Sequence, residues 1–155
     1  CNELGRLQSD TYDFIDGAKQ VNKYLKKEGY TKTSYQSTLH PSASKLITLG
    51  GHNQTTVTDC GKLLERIYRG ECVSKEAEML DLLKNQQNTS KIPEGLGVDV
   101  PTANKTGETD EDQHDIAIVY GTKTTYILCV MSENASNAIA NIRNISRVVY
   151  NYLNL

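Results

Sequence analysis

Thr102-Ala103-Asn104-Lys105-Thr106-Gly107-Glu108 stands just ahead of an apolar run, Ile116-Ala117-Ile118-Val119-Tyr120. Pro101 before it marks the start of an extended segment. A lysine, a hydroxyl and a glycine in consecutive positions on a strand edge can hold an anionic ligand and let the backbone approach it closely. That is the chemistry of a carboxylate-binding strand. Three strands are expected, at about 102–107, 115–120 and 125–131, the last two joined by the short turn Gly121-Thr122-Lys123-Thr124, a hairpin signal. Beyond them Ser136 to Leu153 carries Ile139, Ile142, Ile145, Val148, Val149 and Tyr152 at helical spacing. This predicts a long helix whose one broad apolar stripe lies across the sheet.

Upstream of the strands the periodicity is helical. Asn2-Glu3-Leu4-Gly5-Arg6-Leu7 reads as a helix entered midway, and Asp16-Gly17 opens another through Ala18, Val21, Tyr24 and Leu25. Gly29 ends that helix behind Lys26 and Lys27, where cations suit the C-terminal dipole. Thr31 to Thr55 is rich in Ser, Thr, Gly and His, longer than most connections in a compact domain, a length typical of functional or mobile loops. Thr56 with Asp59 three residues on predicts a capped helix over Leu63, Leu64, Ile67 and Tyr68, stopped by Gly70. Ser74 is expected to cap the next, with Met79, Leu80, Leu82 and Leu83 as its buried side, and Ile92-Pro93-Glu94-Gly95-Leu96-Gly97 reads as a turn-rich linker. The organisation expected is one domain over 1–155, mostly helical over 1–90, with sheet and terminal helix over 100–155.

A chain of 155 residues with formal net charge -2 and no basic block has the size of one domain and no electrostatic footprint for nucleic acid. No apolar run approaches the roughly 20 residues of a membrane span. The four cysteines, Cys1, Cys60, Cys72 and Cys129, lack CxxC spacing and clustered histidines, so neither a metal site nor another cofactor is expected. Cys60 and Cys72 stand near opposite ends of one expected helix, about 18 Å apart at the usual rise, too far to pair with each other. Cys1 with Cys72, or small buried thiols, are both open readings.

Helices, then Lys105-Thr106-Gly107 on a strand, a hairpin and a long terminal helix resemble the second half of the serine β-lactamase and penicillin-binding protein fold, most like class A. Asp16-Gly17-Ala18-Lys19 opening a helix, Thr55-Thr56 capping another and Gly121 closing the second strand extend the resemblance along the chain. The fold it implies is α/β (α+β): helices followed by a three-stranded antiparallel sheet and a long C-terminal helix. In that family acyl transfer uses a serine in Ser-x-x-Lys, a Ser-Asp-Asn loop and the Lys-Thr-Gly strand. The resemblance implies that Lys105 and the Thr106 hydroxyl bind the carboxylate of a β-lactam or a D-alanyl peptide. It implies that Gly107 lets substrate lie along the strand, that the Glu108 backbone N–H is one oxyanion donor, and that His114 adds a second carboxylate contact where class A enzymes often carry an arginine.

The departures concern the chemistry. Ser42-Ala43-Ser44-Lys45 is the one Ser-x-x-Lys string, but it follows Pro41 in the polar loop, not the start of a buried helix. Ser9-Asp10-Thr11 imitates Ser-Asp-Asn but aligns past that loop. Where class A enzymes place a deacylating glutamate, the loop reads Thr38-Leu39-His40-Pro41-Ser42, with no acidic residue from Thr31 to Val57. Of the loop histidines, His40 is a substitute base to consider, and His52 is loop. The nucleophile is therefore expected on an N-terminal segment outside these residues, in cis or on a separate chain. The exposed sheet edge and helix face are expected to meet that half or to self-associate. The alternative is a non-catalytic penicillin or cell-wall-peptide binding module, including a lipoprotein domain beginning at Cys1. The resemblance implies an extracytoplasmic, bacterial setting.

Overall fold

A computed structural model describes residues 14–38, 47–72, 75–97 and 99–155. The helix expected at Asn2–Leu7, Ser9-Asp10-Thr11, His40, Ser42-Ala43-Ser44-Lys45 and the cap at Ser74 lie outside the described residues. The chain forms two compact units, Cys1–Asp59 and Cys60–Leu155.

In the first unit, α1 (Phe14–Lys27) carries Asp16 in its first turn. It closes as a Schellman turn: Gly29 adopts φ +83°, and Tyr30 N–H returns to Leu25 O at 2.9 Å. Buried Tyr30 anchors that exit. The long loop is a folded ribbon in its described parts, because two asparagines act as surrogate backbone. The Asn22 amide exchanges both bonds with Tyr35, at 2.7 and 2.8 Å. Asn53 accepts from Gln36 N–H and Ser37 N–H and donates to Ser37 O. The Thr56 hydroxyl accepts the Asp59 N–H at 3.2 Å, as the capping pattern predicts. The Asp59 carboxylate instead holds the loop, accepting from Lys32 N–H at 2.9 Å and the Thr33 hydroxyl at 2.8 Å.

In the second unit, α2 (Val57–Arg69, its first turn belonging to the first unit) ends at Gly70, φ +68°, so Cys72 falls beyond the helix. Helix α3 (Glu76–Lys84) is entered through Lys75 in the left-handed region, φ +64°, without a side-chain cap. The segment read as a linker is a short helix, α4 (Ile92–Leu96). Pro93 stands in its first turn, where the missing N–H costs nothing. Strands β1 (Thr102–Glu108), β2 (Asp112–Tyr120) and β3 (Thr125–Glu133) form an antiparallel sheet in the order β1-β2-β3, and α5 (Ala138–Asn154) follows.

Alternation along β2 builds two cores. Ala117 and Val119 pack with Ile92 of α4 and Ile142 of α5, while Ile118 packs with Ala103 of β1 and Leu64 of α2. Leu80 and Leu83 of α3 join the second core, but Leu82, expected to be buried, is 74% exposed because it points away from that face. The apolar positions of α5 also divide. Ile142 and Ser146 are buried, whereas Ile145, Val148 and Tyr152, spaced three and four apart, form an exposed second row. The stripe is wider than the face the sheet offers.

The C-terminal end of α5 fastens the hairpin. Buried Asn154 accepts the backbone N–H groups of Lys123 and Thr124, each at 2.9 Å, and Gly121 passes so close to its side chain that a Cβ there would collide with it. Asn154→Ala leaves both donors without their acceptor and is expected to cost about 2 kcal/mol. Hydrogen exchange at the Lys123 and Thr124 amides should accelerate in the variant, while exchange at Ile118 changes far less.

Candidate functional site

Strand β1 has a neighbour on one side only, so its other edge is open among the described residues. Tyr120 N–H donates to Pro101 O and Thr109 N–H to Asp112 O. The register pairs Ala103 with Ile118, Lys105 with Ile116 and Gly107 with His114. Odd-numbered residues of β1 therefore bond β2, and the N–H and C=O of Asn104, Thr106 and Glu108 point to the open edge. Glycine at 107 needs no positive φ; its use is to keep the strand slim.

Consecutive side chains point to opposite faces. Lys105 lies on the face of Ala103 and Ile118, whereas Thr106 pairs with Asp115 on the α4 side. They can share a ligand only around the open edge. Lys105 already turns there: it is exposed, and its Nζ donates to Thr106 O at 2.6 Å. His114 lies on central β2, not at the edge. A Cβ on Gly107 would rest 3.7 Å from its ring, and its Nδ1 accepts Ser132 N–H at 3.2 Å. In the neutral ring that bond places the proton on Nε2, leaving one N–H to donate.

Behind the strand lies a polar group that sequence reasoning missed. Lys91, Asn104 and Asp115 are buried. The Lys91 ammonium has three acceptors: His114 O at 3.1 Å, Glu108 Oε1 at 3.2 Å and Gly107 O at 3.3 Å. Asp115 accepts Ile92 N–H at 2.9 Å and Asn104 Nδ2–H at 3.2 Å, and the second Asn104 N–H reaches Asn88 O at 3.3 Å. Burial raises the Asp115 carboxyl above its usual value, opposed by those bonds and by Lys91. The available signal was weak: a lysine ahead of Ile-Pro in a turn-rich segment reads as solvated, and only the helix at 92–96 turns it inward.

The thiol of Cys129 offers no alternative nucleophile. Burial first, then Cys60 and Asp115, push it up to about 11, so it is protonated near neutrality. Among the described residues no group of three His, Cys, Asp or Glu could hold a metal, and no helix is long and apolar enough to cross a membrane. Among the described residues, cavities of about 410 and 380 Å³ lie beside α4 and at the start of α5. Neither is lined by Lys105, Thr106, Gly107, Glu108 or His114.

Helices, a three-stranded antiparallel sheet with Lys-Thr-Gly on its edge strand and a long terminal helix define an α/β protein with part of a β-lactamase-like fold. The sequence pattern of the beta-lactamase enzyme family matches residues 12–153, and the chain belongs to that family. Among solved structures it is similar to PBP-A, at 24% identity and TM-score 0.73, over 87% of this chain and 51% of that one. It is similar too to a β-lactamase from Sphaerobacter thermophilus, at 19% identity and TM-score 0.73, over 88% of this chain and 54% of that one. A third, a β-lactamase from Chitinophaga pinensis, gives 20% identity and TM-score 0.74, over 88% and 56%. The chain thus spans about half the length of these structures. No protein with a curated description matches it.

Proposed function

We propose that residues 1–155 are the C-terminal portion of a serine β-lactamase-related hydrolase domain. In this reading the β1 edge receives the carboxylate of a β-lactam or a D-alanyl peptide, and the nucleophilic serine comes from outside these residues. The observation that carries the proposal is the open edge of β1, where the Lys105 ammonium and the Glu108 N–H lie along one line of backbone. Lys105 supplies charge, the Thr106 hydroxyl a hydrogen bond, Gly107 room for substrate to run along the strand, and His114 Nε2–H a second donor. The Glu108 N–H is the oxyanion donor, a role that needs only main chain. Such substrates place the protein in the cell envelope or outside the bacterial cell.

A second reading, a penicillin- or cell-wall-peptide-binding module without turnover, is favoured by one feature. The loop from Thr31 to Val57 holds no carboxylate to activate a deacylating water. One similar structure is a PBP-A L158E mutant in acyl-enzyme complex with penicillin G. A lipoprotein domain is the membrane-anchored form of this reading. The sequence preceding Cys1 separates the two: a Ser-x-x-Lys helix supports the hydrolase, a lipobox the module.

The test is benzylpenicillin titrated into the 155-residue chain. Amide shifts at Thr106, Gly107 and Glu108 should report non-covalent binding, and Lys105→Ala should weaken it by about 30-fold through loss of a charge-assisted contact. Intact-mass measurement should find no acyl adduct. A stoichiometric adduct would overturn the placing of the nucleophile, and unchanged affinity in Lys105→Ala would overturn the carboxylate site.

A further inference from the structure

Glu108 poses a problem for an anion site. It puts a carboxylate on the residue whose N–H faces the open edge, three positions from Lys105, where it would repel an incoming carboxylate and compete for the lysine. The geometry points to Lys91 as the positioning residue that removes this conflict, an inference that rests on the carboxylate reading of the β1 edge.

The Lys91 side chain is wholly buried, while Glu108 is about half exposed, with its side chain at 48%. Period-2 alternation puts Glu108 on the α4 side of the sheet, away from the face of Lys105 and Gly107. There its Oε1 accepts from Lys91 Nζ at 3.2 Å and Asn88 Nδ2 at 2.8 Å. Asn88 is itself fixed: its Oδ1 accepts from the Ser90 hydroxyl at 2.8 Å and its backbone carbonyl from Asn104. The clamp draws the carboxylate behind the strand and offsets its charge there.

The other two Lys91 bonds act on the backbone. Gly107 O and His114 O belong to directly paired residues and face each other between the strands, and the ammonium binds both. The Gly107 carbonyl and the Glu108 N–H share one trans peptide, so holding the carbonyl inward holds the N–H outward. A glycine peptide at the end of an edge strand is otherwise the easiest to rotate. One buried ammonium, its three N–H groups matched to three acceptors, thus aims the edge donor and withdraws the competing charge.

The experiment is nuclear magnetic resonance on the 155-residue chain with benzylpenicillin as probe, comparing wild type, Lys91→Met, Asn88→Ala and Lys91→Met/Glu108→Gln. Without ligand, the wild-type Lys91 ammonium should give a protected, slowly exchanging signal, and Lys91→Met should speed Glu108 amide exchange about tenfold while Ile118 holds. With ligand, Lys91→Met should weaken binding about tenfold and Asn88→Ala about threefold, and the double variant should recover to within about threefold of wild type. Only repulsion by a released carboxylate predicts that rescue. A double variant as weak as Lys91→Met would overturn the withdrawal of the Glu108 charge by Lys91, and Glu108 amide exchange unchanged in Lys91→Met would overturn the aiming of its N–H. If Lys91→Met does not fold, an unprotected ammonium in wild type or unaltered binding in Asn88→Ala overturns the inference equally. Wild type that fails to bind benzylpenicillin while the ligand-free signals behave as expected would sink the carboxylate reading and leave the backbone role supported.

Discussion

Asp115→Ala is expected to destabilise the second unit by about 3 kcal/mol, measured by denaturant unfolding at pH 7. The carboxylate is fully buried, and the substitution strands three groups at once. The Ile92 N–H that opens α4 loses its acceptor, the Asn104 amide loses one of two, and the Lys91 ammonium loses a nearby counter-charge. An unpaired buried donor costs more than the bond it replaces contributed. The effect should also reach the candidate site, since Asn104 and Lys105 are neighbours on β1 and the Thr106 edge is backed by Asp115 itself.

The same residue gives a signed pH dependence. Its carboxyl is raised in the folded protein above the ordinary value of 3.8, chiefly by burial. As pH falls toward 3.8 the folded chain takes up this proton before the unfolded chain does, which favours folding. That contribution is fully present below 3.8 and is lost as pH rises through the folded value. Asp115→Asn keeps an acceptor for Ile92 N–H but removes the titration. The stability of wild type relative to Asp115→Asn should therefore be greater at pH 4 than at pH 7. A stability of wild type relative to Asp115→Asn that falls on acidification would show that the carboxyl is not raised.

The legible parts of this chain were those written in local chemistry. The apolar run from Ile116 to Tyr120 and the turn at Gly121 to Thr124 placed β2 and β3 to within three residues at each end, and the Thr56 cap and the Gly29 and Gly70 stops mark where those helices begin and end. The Lys105-Thr106-Gly107 triplet falls on the edge strand expected for it. What sequence did not reveal depends on contacts between distant positions. Ile92-Pro93-Glu94-Gly95 has the composition of a turn, and it becomes helix because Ile92 enters the core with Ile142 and Asp115 accepts its N–H. Asp115 looks like a polar residue opening an apolar strand until the side chain of Asn104, eleven residues earlier, donates to it. The apolar spacing of α5 counted Ile145, Val148 and Tyr152 with Ile142, because helical periodicity cannot say how wide a face the sheet will cover.

Gly95→Ala is expected to cost about 3 kcal/mol, although it adds one methyl to a helix, where alanine is ordinarily the better residue. A Cβ at 95 would fall on the backbone of Arg143, onto its carbonyl, and backbone cannot rotate aside as a side chain can. The two helices are held on either side of this contact. Arg143 Nε donates to Ser90 O at 2.7 Å, and the buried Ser146 hydroxyl donates to Ile92 O at 2.8 Å. Pushing α4 from α5 breaks both bonds and opens the core of Ile92, Ala117, Val119 and Ile142. Because Lys91 precedes α4, the displacement also withdraws the ammonium from Gly107 O and Glu108, so benzylpenicillin affinity should fall together with stability. Glu94→Ala, one position away and exposed, is the control. It shares the helix but adds no atom to the interface, and its unfolding free energy should stay within about 0.5 kcal/mol of wild type. Equal stability of Gly95→Ala and wild type would mean that α4 and α5 do not approach as closely as the backbone of Arg143 requires.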